Sequence, residues 1–261
     1  MSETAYVIDG TTVTTTTLAA GPWDPRLQHG GAPSSLAAWA AEQVPTQAPM
    51  RIARATIDLF RPVPVADLGI DTTVLREGRK IQLVQVRLLA GDAEVVRATI
   101  LKVRTVDQPL PGEVRMPPLT EAMPEQVAGV GMGIPASTEN FGANFEIRRI
   151  QGGFSEPGPG KVWFRQHRAL ISGQPLSPAM RAVAVADFSN GISALLPFAE
   201  WTFINGDLTV SLAREPVGEW IYSEAETWAA PDGIGSATAR LADRHGFFGQ
   251  AIQSLVLERR G

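Results

Sequence analysis

The feature that most constrains this chain is a repeat at a fixed distance. The segment ATIDLFRPVP (55–64) is echoed by LTVSLAREPV (208–217), and Arg61 falls on Arg214 at an offset of 214 − 61 = 153 residues. Further on, RATILKV (97–103) is echoed by QAIQSLV (250–256), and Ala98 falls on Ala251 at the same offset. An offset that holds over about 40 residues means that the turns between the repeated segments match in length. A chain of 261 residues is long enough for two small cores or one large one, and the repeat favours two similar units.

The local patterns agree with a repeated unit. Residues 5–20 alternate as a short hairpin, and the Ala-rich run 32–44 has no interior breaker and predicts a helix. Strand-like runs follow at 51–61, 67–77 and 79–104, the last folded on itself near Gly91-Asp92. The Pro- and Gly-rich stretch 107–142 has no sustained period and predicts a linker. Runs at 145–153 and 160–171, a helical region at 177–196, and runs at 201–214, 219–229, 234–243 and 247–258 then repeat the order. A helix with one small-residue face followed by long antiparallel strands is an α+β unit, and the helix buries that face by lying on the sheet. The expected architecture is a double hot-dog: residues 1–106 and 143–261 each form an antiparallel sheet wrapped around a central helix, and the two pair into one continuous sheet. That pairing leaves fewer open edges.

Composition removes several chemistries. With no cysteine there is no disulfide, thiolate nucleophile or Cys-ligated metal. Three scattered histidines make no metal cluster, so no metal is expected. No Gly-x-Ser-x-Gly elbow supports a serine hydrolase, and no phosphate-binding or dinucleotide fingerprint calls for a cofactor. A net charge of −4 gives no nucleic-acid signature. The start MSETAYVIDG lacks the basic and apolar parts of a signal peptide, and no run is long enough to span a membrane. A cytoplasmic location is expected, with homo-oligomerisation through sheet or helix faces left open.

The segments QHGGAPSSLAA, ADFSNGISALLP, FINGDLTVSLAREPVGEWIYSEAET and GQAIQSLVL resemble double hot-dog thioesterases of the acyl-CoA thioesterase II type, in the actinobacterial branch called thioesterase-like superfamily proteins. The run N-x-D-L-T-V…R-x-P-V-G-E-W carries the resemblance most specifically. It implies hydrolysis of acyl-CoA thioesters without a covalent intermediate. It also implies that an Asp on the second helix, a Thr or Ser at the next strand, and a Gln on the last strand hold the attacking water. Those positions fall on Asp187, Asn205 and Gln253. Asn205 departs from the family residue, and a shifted alignment brings in Thr209 instead.

Each residue also has a plainer reading. Asp187 can cap a helix start, Asn205 can serve the turn at Gly206-Asp207, and Gln253 can face outward from a strand. Against the last, its 153-offset counterpart is Ile100, so the halves differ there. His29, Gly30 and Gly31 stand before the first helix, where free backbone N–H groups could bind an oxyanion or a CoA phosphate. The plainer reading is an ordinary loop-to-helix joint. His167 and His245 read as surface residues, and Trp39, Trp163, Trp201, Trp220 and Trp228 as core or groove walls. Two rivals to hydrolysis remain: a non-catalytic acyl-CoA or acyl-chain binder, which Asn205 keeps open, and a hydratase or dehydratase. The latter needs an Asp–His pair in one helix-loop, and no histidine follows Asp187 closely.

Overall fold

A computed structural model describes residues 3–112, 114, 116–129, 139–153 and 156–260. The N-terminal hairpin is β1 (Tyr6–Asp9) and β2 (Thr12–Thr15); then come α1 (Gly31–Glu42) and the strands β3 (Met50–Leu59), β4 (Leu68–Arg76), β5 (Ile81–Ala90) and β6 (Ala93–Arg104). The second half supplies β7 (Phe145–Gln151), β8 (Gly160–Gln166), α2 (Pro178–Ala186) and the short α3 (Ser189–Ile192). It ends with β9 (Trp201–Asn205), β10 (Asp207–Leu212), β11 (Trp220–Ala229), β12 (Ile234–Asp243) and β13 (Gly246–Arg259). All form one sheet in the order β1-β2-β4-β5-β6-β3-β10-β13-β12-β11-β8-β7, with β9 paired to β13. This is the continuous hot-dog sheet that the sequence predicts.

The offset of 153 is written into the ladders. Ala98 lies opposite Ile57 on β3 and Val86 on β5. Ala251 lies opposite Val210 on β10 and Ala239 on β12, each 153 residues later. The seam between the halves is β3 against β10, with Leu208 opposite Ile57 and Val210 opposite Ala55.

Each helix lies on the strands of its own half, α1 on β3–β6 and α2 on β10–β12, as expected, and the two also pack against one another, so that α1 is buried on nearly every side from Gly31 to Ala41. Alanine at positions 37, 38, 40 and 41 lets sheet and partner helix approach from opposite sides. Two expectations need adjustment. First, the run 201–214 breaks at Gly206 into β9 and β10. Gly206 bonds both ways there, its N–H to the Ser254 carbonyl (3.0 Å) and its carbonyl to the Leu59 N–H (2.9 Å). Second, the linker is not a bare crossing. Leu119, Met123 and Val127 pack over Trp163, Trp220, Tyr222 and Phe247 on the outer side of the second half, and the Trp163 Nε1–H donates to the Ala122 carbonyl at 2.8 Å. Apolar side chains on that side of the sheet need a cover, and the linker supplies it. Residues 113, 115 and 130–138 of the linker lie outside the described residues.

At one end of the helix pair, the last residue of α1 meets the first turn of α2. The Ser177 hydroxyl caps α2, lying 3.1 Å from the Met180 N–H, and donates to Glu42 Oε1 at 2.9 Å. Burial raises the Glu42 carboxyl to about 7 against the pull of that hydrogen bond, and nearby Glu215 adds to the rise. The folded protein therefore holds a proton that the unfolded chain, near 4.5, releases. Stability from this group is greatest below about pH 4.5 and falls as pH rises to 7. Glu42→Gln should remove that slope. Urea unfolding at pH 5 and pH 8 should show a variant about 1–3 kcal/mol more stable than wild type at pH 8 and near equal at pH 5.

Candidate active site

The other end of the helix pair gathers the predicted residues. Asp187 follows α2 directly, at its C-terminal end and not at a helix start, and is 2% exposed. Its Oδ1 accepts from Asn205 Nδ2 at 2.8 Å and from Gln253 Nε2 at 3.1 Å. Its Oδ2 lies 2.9 Å from His29 Nδ1. The sequence predicts three side chains around a water-sized space. The structure instead brings both amides directly onto the carboxylate. A buried carboxylate needs such donors, because losing water without replacing its hydrogen bonds costs several kcal/mol.

Each partner has its own support. Gln253 is fully buried on β13, its side chain directed inward, and its Oε1 accepts from the Asn190 N–H at 3.3 Å. Asn190, which the sequence analysis passes over, also donates to the Phe203 carbonyl on β9 at 3.0 Å and so ties α3 to the strand carrying Asn205. Asn205 ends β9 at the Gly206 break, and its Nδ2 also reaches the Asp207 carbonyl at 3.2 Å. Thr209 lies beyond the break, opposite Thr56 and Ile252, and has no contact with Asp187 among the described hydrogen bonds. The His29 ring lies between Phe141 and Phe188, with centroids 5.0 and 4.5 Å away. Its backbone N–H is fixed by the Ala19 carbonyl at 2.9 Å.

The Gly31 N–H also lies 3.1 Å from His29 Nδ1. An unprotonated Nδ1 would set its lone pair against the carboxylate of Asp187. A ring carrying a proton on Nδ1 directs it at Oδ2 in a charge-assisted bond and gives up the contact in which Nδ1 accepts from the Gly31 N–H.

The glycines serve a closer purpose than ligand access. A Cβ on Gly30 would stand 2.8 Å from Asp187 Oδ2, and one on Gly31 would stand 2.9 Å from the Phe141 ring and 3.1 Å from the Ala184 carbonyl. They let the start of α1 meet the end of α2. Among the described residues the Gly30 N–H has no backbone or side-chain acceptor.

A cleft of about 260 Å³ opens onto this group. It exists because the chain after β3 leaves β9 at the Gly206 break and turns to the loop before α1. There Gln28 N–H bonds the Val63 carbonyl at 2.7 Å and Val65 N–H bonds the Arg26 carbonyl at 2.8 Å. Asp187, Asn205, His29 and Gly30 line its inner part, Trp23, Leu59, Phe60, Ile204 and Val256 give apolar walls, and Asp24 and Arg61 are charged members. Trp23, stacked on Phe198 at 4.6 Å, is a wall that the sequence analysis missed, although it sits only six residues before His29. A larger open hollow of about 670 Å³ lies over β10, β13, β12 and β11, away from Asp187, and holds the Arg240–Glu224 ion pair. His167 and His245 are exposed.

A buried carboxylate, two amides, a histidine and a helix start in one apolar cleft can activate water against an acyl group. The comparisons give that chemistry its class. Residues 19–103 match the acyl-CoA thioesterase N-terminal domain and residues 115–257 the acyl-CoA thioesterase C-terminal domain. The chain belongs to the acyl-CoA thioesterase family, whose reaction is thioester hydrolysis. Among solved structures it resembles a hot-dog-fold protein of Alicyclobacillus acidocaldarius, with 15% identity and a TM-score of 0.76 over 98% of this chain and 97% of that one. It also resembles the tesB protein of Mycobacterium avium subs paratuberculosis, with 16% identity, a TM-score of 0.70, and 96% and 94% of the two chains. Acyl-CoA thioesterase II TesB2 of Mycobacterium marinum shares 11% identity with a TM-score of 0.66, over 97% and 94%. No curated protein sequence matches it. Among the described residues no helix is long and apolar enough to cross a membrane.

The glycine geometry separates two effects. Gly31→Ala meets backbone and a ring, so it should destabilise the fold by about 1–3 kcal/mol. Gly30→Ala meets only the end of Asp187, so it should displace the carboxylate from its donors and lower stability by their loss, with the backbone of the two helices unmoved. Thermal melts and a structure of each variant check this, and a shift of the helix backbones in Gly30→Ala would mean that Asp187 cannot yield.

Proposed function

We propose that Asp187 is the centre of an acyl-CoA hydrolase site lying between two hot-dog units, residues 1–106 and 143–261, joined by the linker 107–142 and working in the cytoplasm. The single observation that carries the reading is the convergence of Asn205, Gln253 and His29 on one buried carboxylate at the inner end of an apolar cleft. A thioester is already activated and its thiolate leaves readily, so a base, groups to aim the water and an oxyanion donor suffice. Asp187 takes the proton of the attacking water. Asn205 and Gln253 fix the orientation of its carboxylate, and the oxygen of the Asn205 amide can accept from the same water. The Gly30 N–H, at the start of α1, takes the charge that develops on the thioester oxygen.

One contact favours a second reading. With its Nδ1–H held by Asp187, His29 can act as the base through Nε2, and Asp187 then fixes the ring. The contact also reopens the hydratase alternative. The sequence argument against it considers only histidines after Asp187, whereas His29 arrives from the other half.

Kinetics on a panel of acyl-CoA substrates separate these readings. Asp187→Asn should lower kcat about 10²–10⁴-fold with the fold intact. Gln253→Ala should cost less, and Asn205→Thr should hold or raise the rate. A rising pH–rate limb in the ordinary carboxylate range assigns the base to Asp187, and one in the imidazole range, abolished in His29→Gln, assigns it to His29. Hydration of an enoyl-CoA without thioester cleavage would overturn hydrolysis, and an unchanged rate in Asp187→Asn with a lowered melting temperature would make Asp187 structural.

A further inference from the structure

The repeat permits a comparison that neither half offers alone. In the second half, Arg214 is held in place. Its Nη2 lies 2.8 Å from Asp243 Oδ1 and 2.8 Å from the Gly246 carbonyl. Asp243 is fully buried and also accepts from the N–H groups of Val217 (2.8 Å) and His245 (2.7 Å). Burial alone would raise the Asp243 carboxyl, but the bonds from Arg214 and these two backbone groups outweigh it and hold the carboxyl below its ordinary range.

In the first half, the backbone at the matching place is the same. The Phe60 N–H bonds the Val95 carbonyl as the Ala213 N–H bonds the Phe248 carbonyl, each pair 153 residues apart. Ala90 lies opposite Ala93 as Asp243 lies opposite Gly246. Ala90 thus stands where Asp243 stands, and the carboxylate is missing. Arg61, the counterpart of Arg214, is exposed and has no ion pair or side-chain hydrogen bond among the described residues. It lines the cleft that leads to Asp187, whereas Arg214 lines none of the cleft's wall.

We propose that Arg61 is a substrate-binding residue that takes a phosphate of the thiol half of the substrate, and this rests on the hydrolase reading of the cleft. The acyl carbon must reach Asp187 and Gly30, so the phosphopantetheine arm leaves by the mouth. The mouth's electrostatics suit an anion. Its other carboxylate, the half-buried Asp24, is neutralised by Arg26, with Nε–Oδ1 at 3.0 Å and Nη2–Oδ2 at 2.7 Å, and these bonds lower its carboxyl to about 2. Asp187 is turned to His29 and the amides. Arg61 is the remaining unpaired charge of the lining, and a guanidinium suits a phosphate through its fork of N–H donors.

The test compares one acyl group on three thiols: CoA, 4′-phosphopantetheine and pantetheine, with wild type, Arg61→Ala and Arg61→Lys. Arg61→Ala should raise KM for acyl-CoA about 10- to 100-fold with kcat nearly unchanged, and leave acyl-pantetheine unaffected. Arg61→Lys should recover part of the loss, and the salt dependence of kcat/KM on acyl-CoA should flatten in Arg61→Ala. A matching loss on acyl-phosphopantetheine assigns the phosphate shared by CoA and carrier-protein substrates. A loss confined to acyl-CoA assigns a phosphate of its nucleotide end. Equal losses on all three thiols, or no loss on any, would overturn the proposal. Hydrolysis of acyl-pantetheine by wild type and not by Asp187→Asn tests the hydrolase reading separately.

Discussion

Two helices share the inside of one sheet, and the site depends on how closely they approach. Gly31 faces the Ala184 carbonyl and Phe141 at distances that would place even a methyl group in conflict. The Ser35 hydroxyl, bonded to the Gly31 carbonyl at 2.7 Å, lies 3.2 Å from the Met180 carbonyl and so spans both helices. Small residues therefore act here as a distance setting more than as a propensity. They bring the C-terminal end of α2 to the N-terminal start of α1. An anion at the end of α2 faces the unfavourable end of that helix, and the start of α1 offers the compensating one. Asp187 belongs to the second half of the chain, but its electrostatic support and its histidine come from the first.

The cleft opens where the seam between the two halves ends. The seam β3–β10 runs in register up to Leu59 and Gly206, and there the chain after β3 departs toward residues 26–28. The break at Gly206 places Asn205 beside Asp187 and opens the wall in one step. Sheets commonly use an irregularity of this kind to re-aim a side chain near a site.

Much of this is legible in the sequence because β-sheet register is a matter of counting. Once Ala98 and Ala251 are matched, the side-chain period of two fixes which face every neighbour presents, and the turn at Gly91-Asp92 sets the β5–β6 hairpin. Asp187, Asn205 and Gln253 came through the resemblance, since nothing in their spacing brings them together. His29 as the partner of Asp187 was not legible. The two are 158 residues apart, and an Asp–His pair assembled across two units leaves no local motif. Trp23 was missed because a lone aromatic in a Pro-rich loop reads as a turn, while here Phe198 and Phe203 hold it as a wall. The packing of the linker on Trp163 was hidden for a different reason: absence of periodicity describes a segment's own backbone and says nothing about what it covers.

The two ends of the helix pair show what the donors are for. Position for position, Asn205 corresponds to Ile52 and Gln253 to Ile100, and both isoleucines are buried. Each end nevertheless keeps a carboxyl group beside the start of the facing helix: Asp187 near Gly30, and Glu42 near Ser177. With two amides and a histidine around it, the Asp187 carboxylate is satisfied without water. At the other end, burial and the charge of Glu215 raise Glu42 to about 7 against the hydrogen bond from Ser177 and the charge of Lys102. A carboxyl group in an apolar wall is stabilised by donors or by protonation, and the end that carries Asp187 has the donors. The two amides in place of two isoleucines thus give the carboxyl at one end of the helix pair donors that the other end lacks, and the ends of a duplicated fold differ in the chemistry they can support.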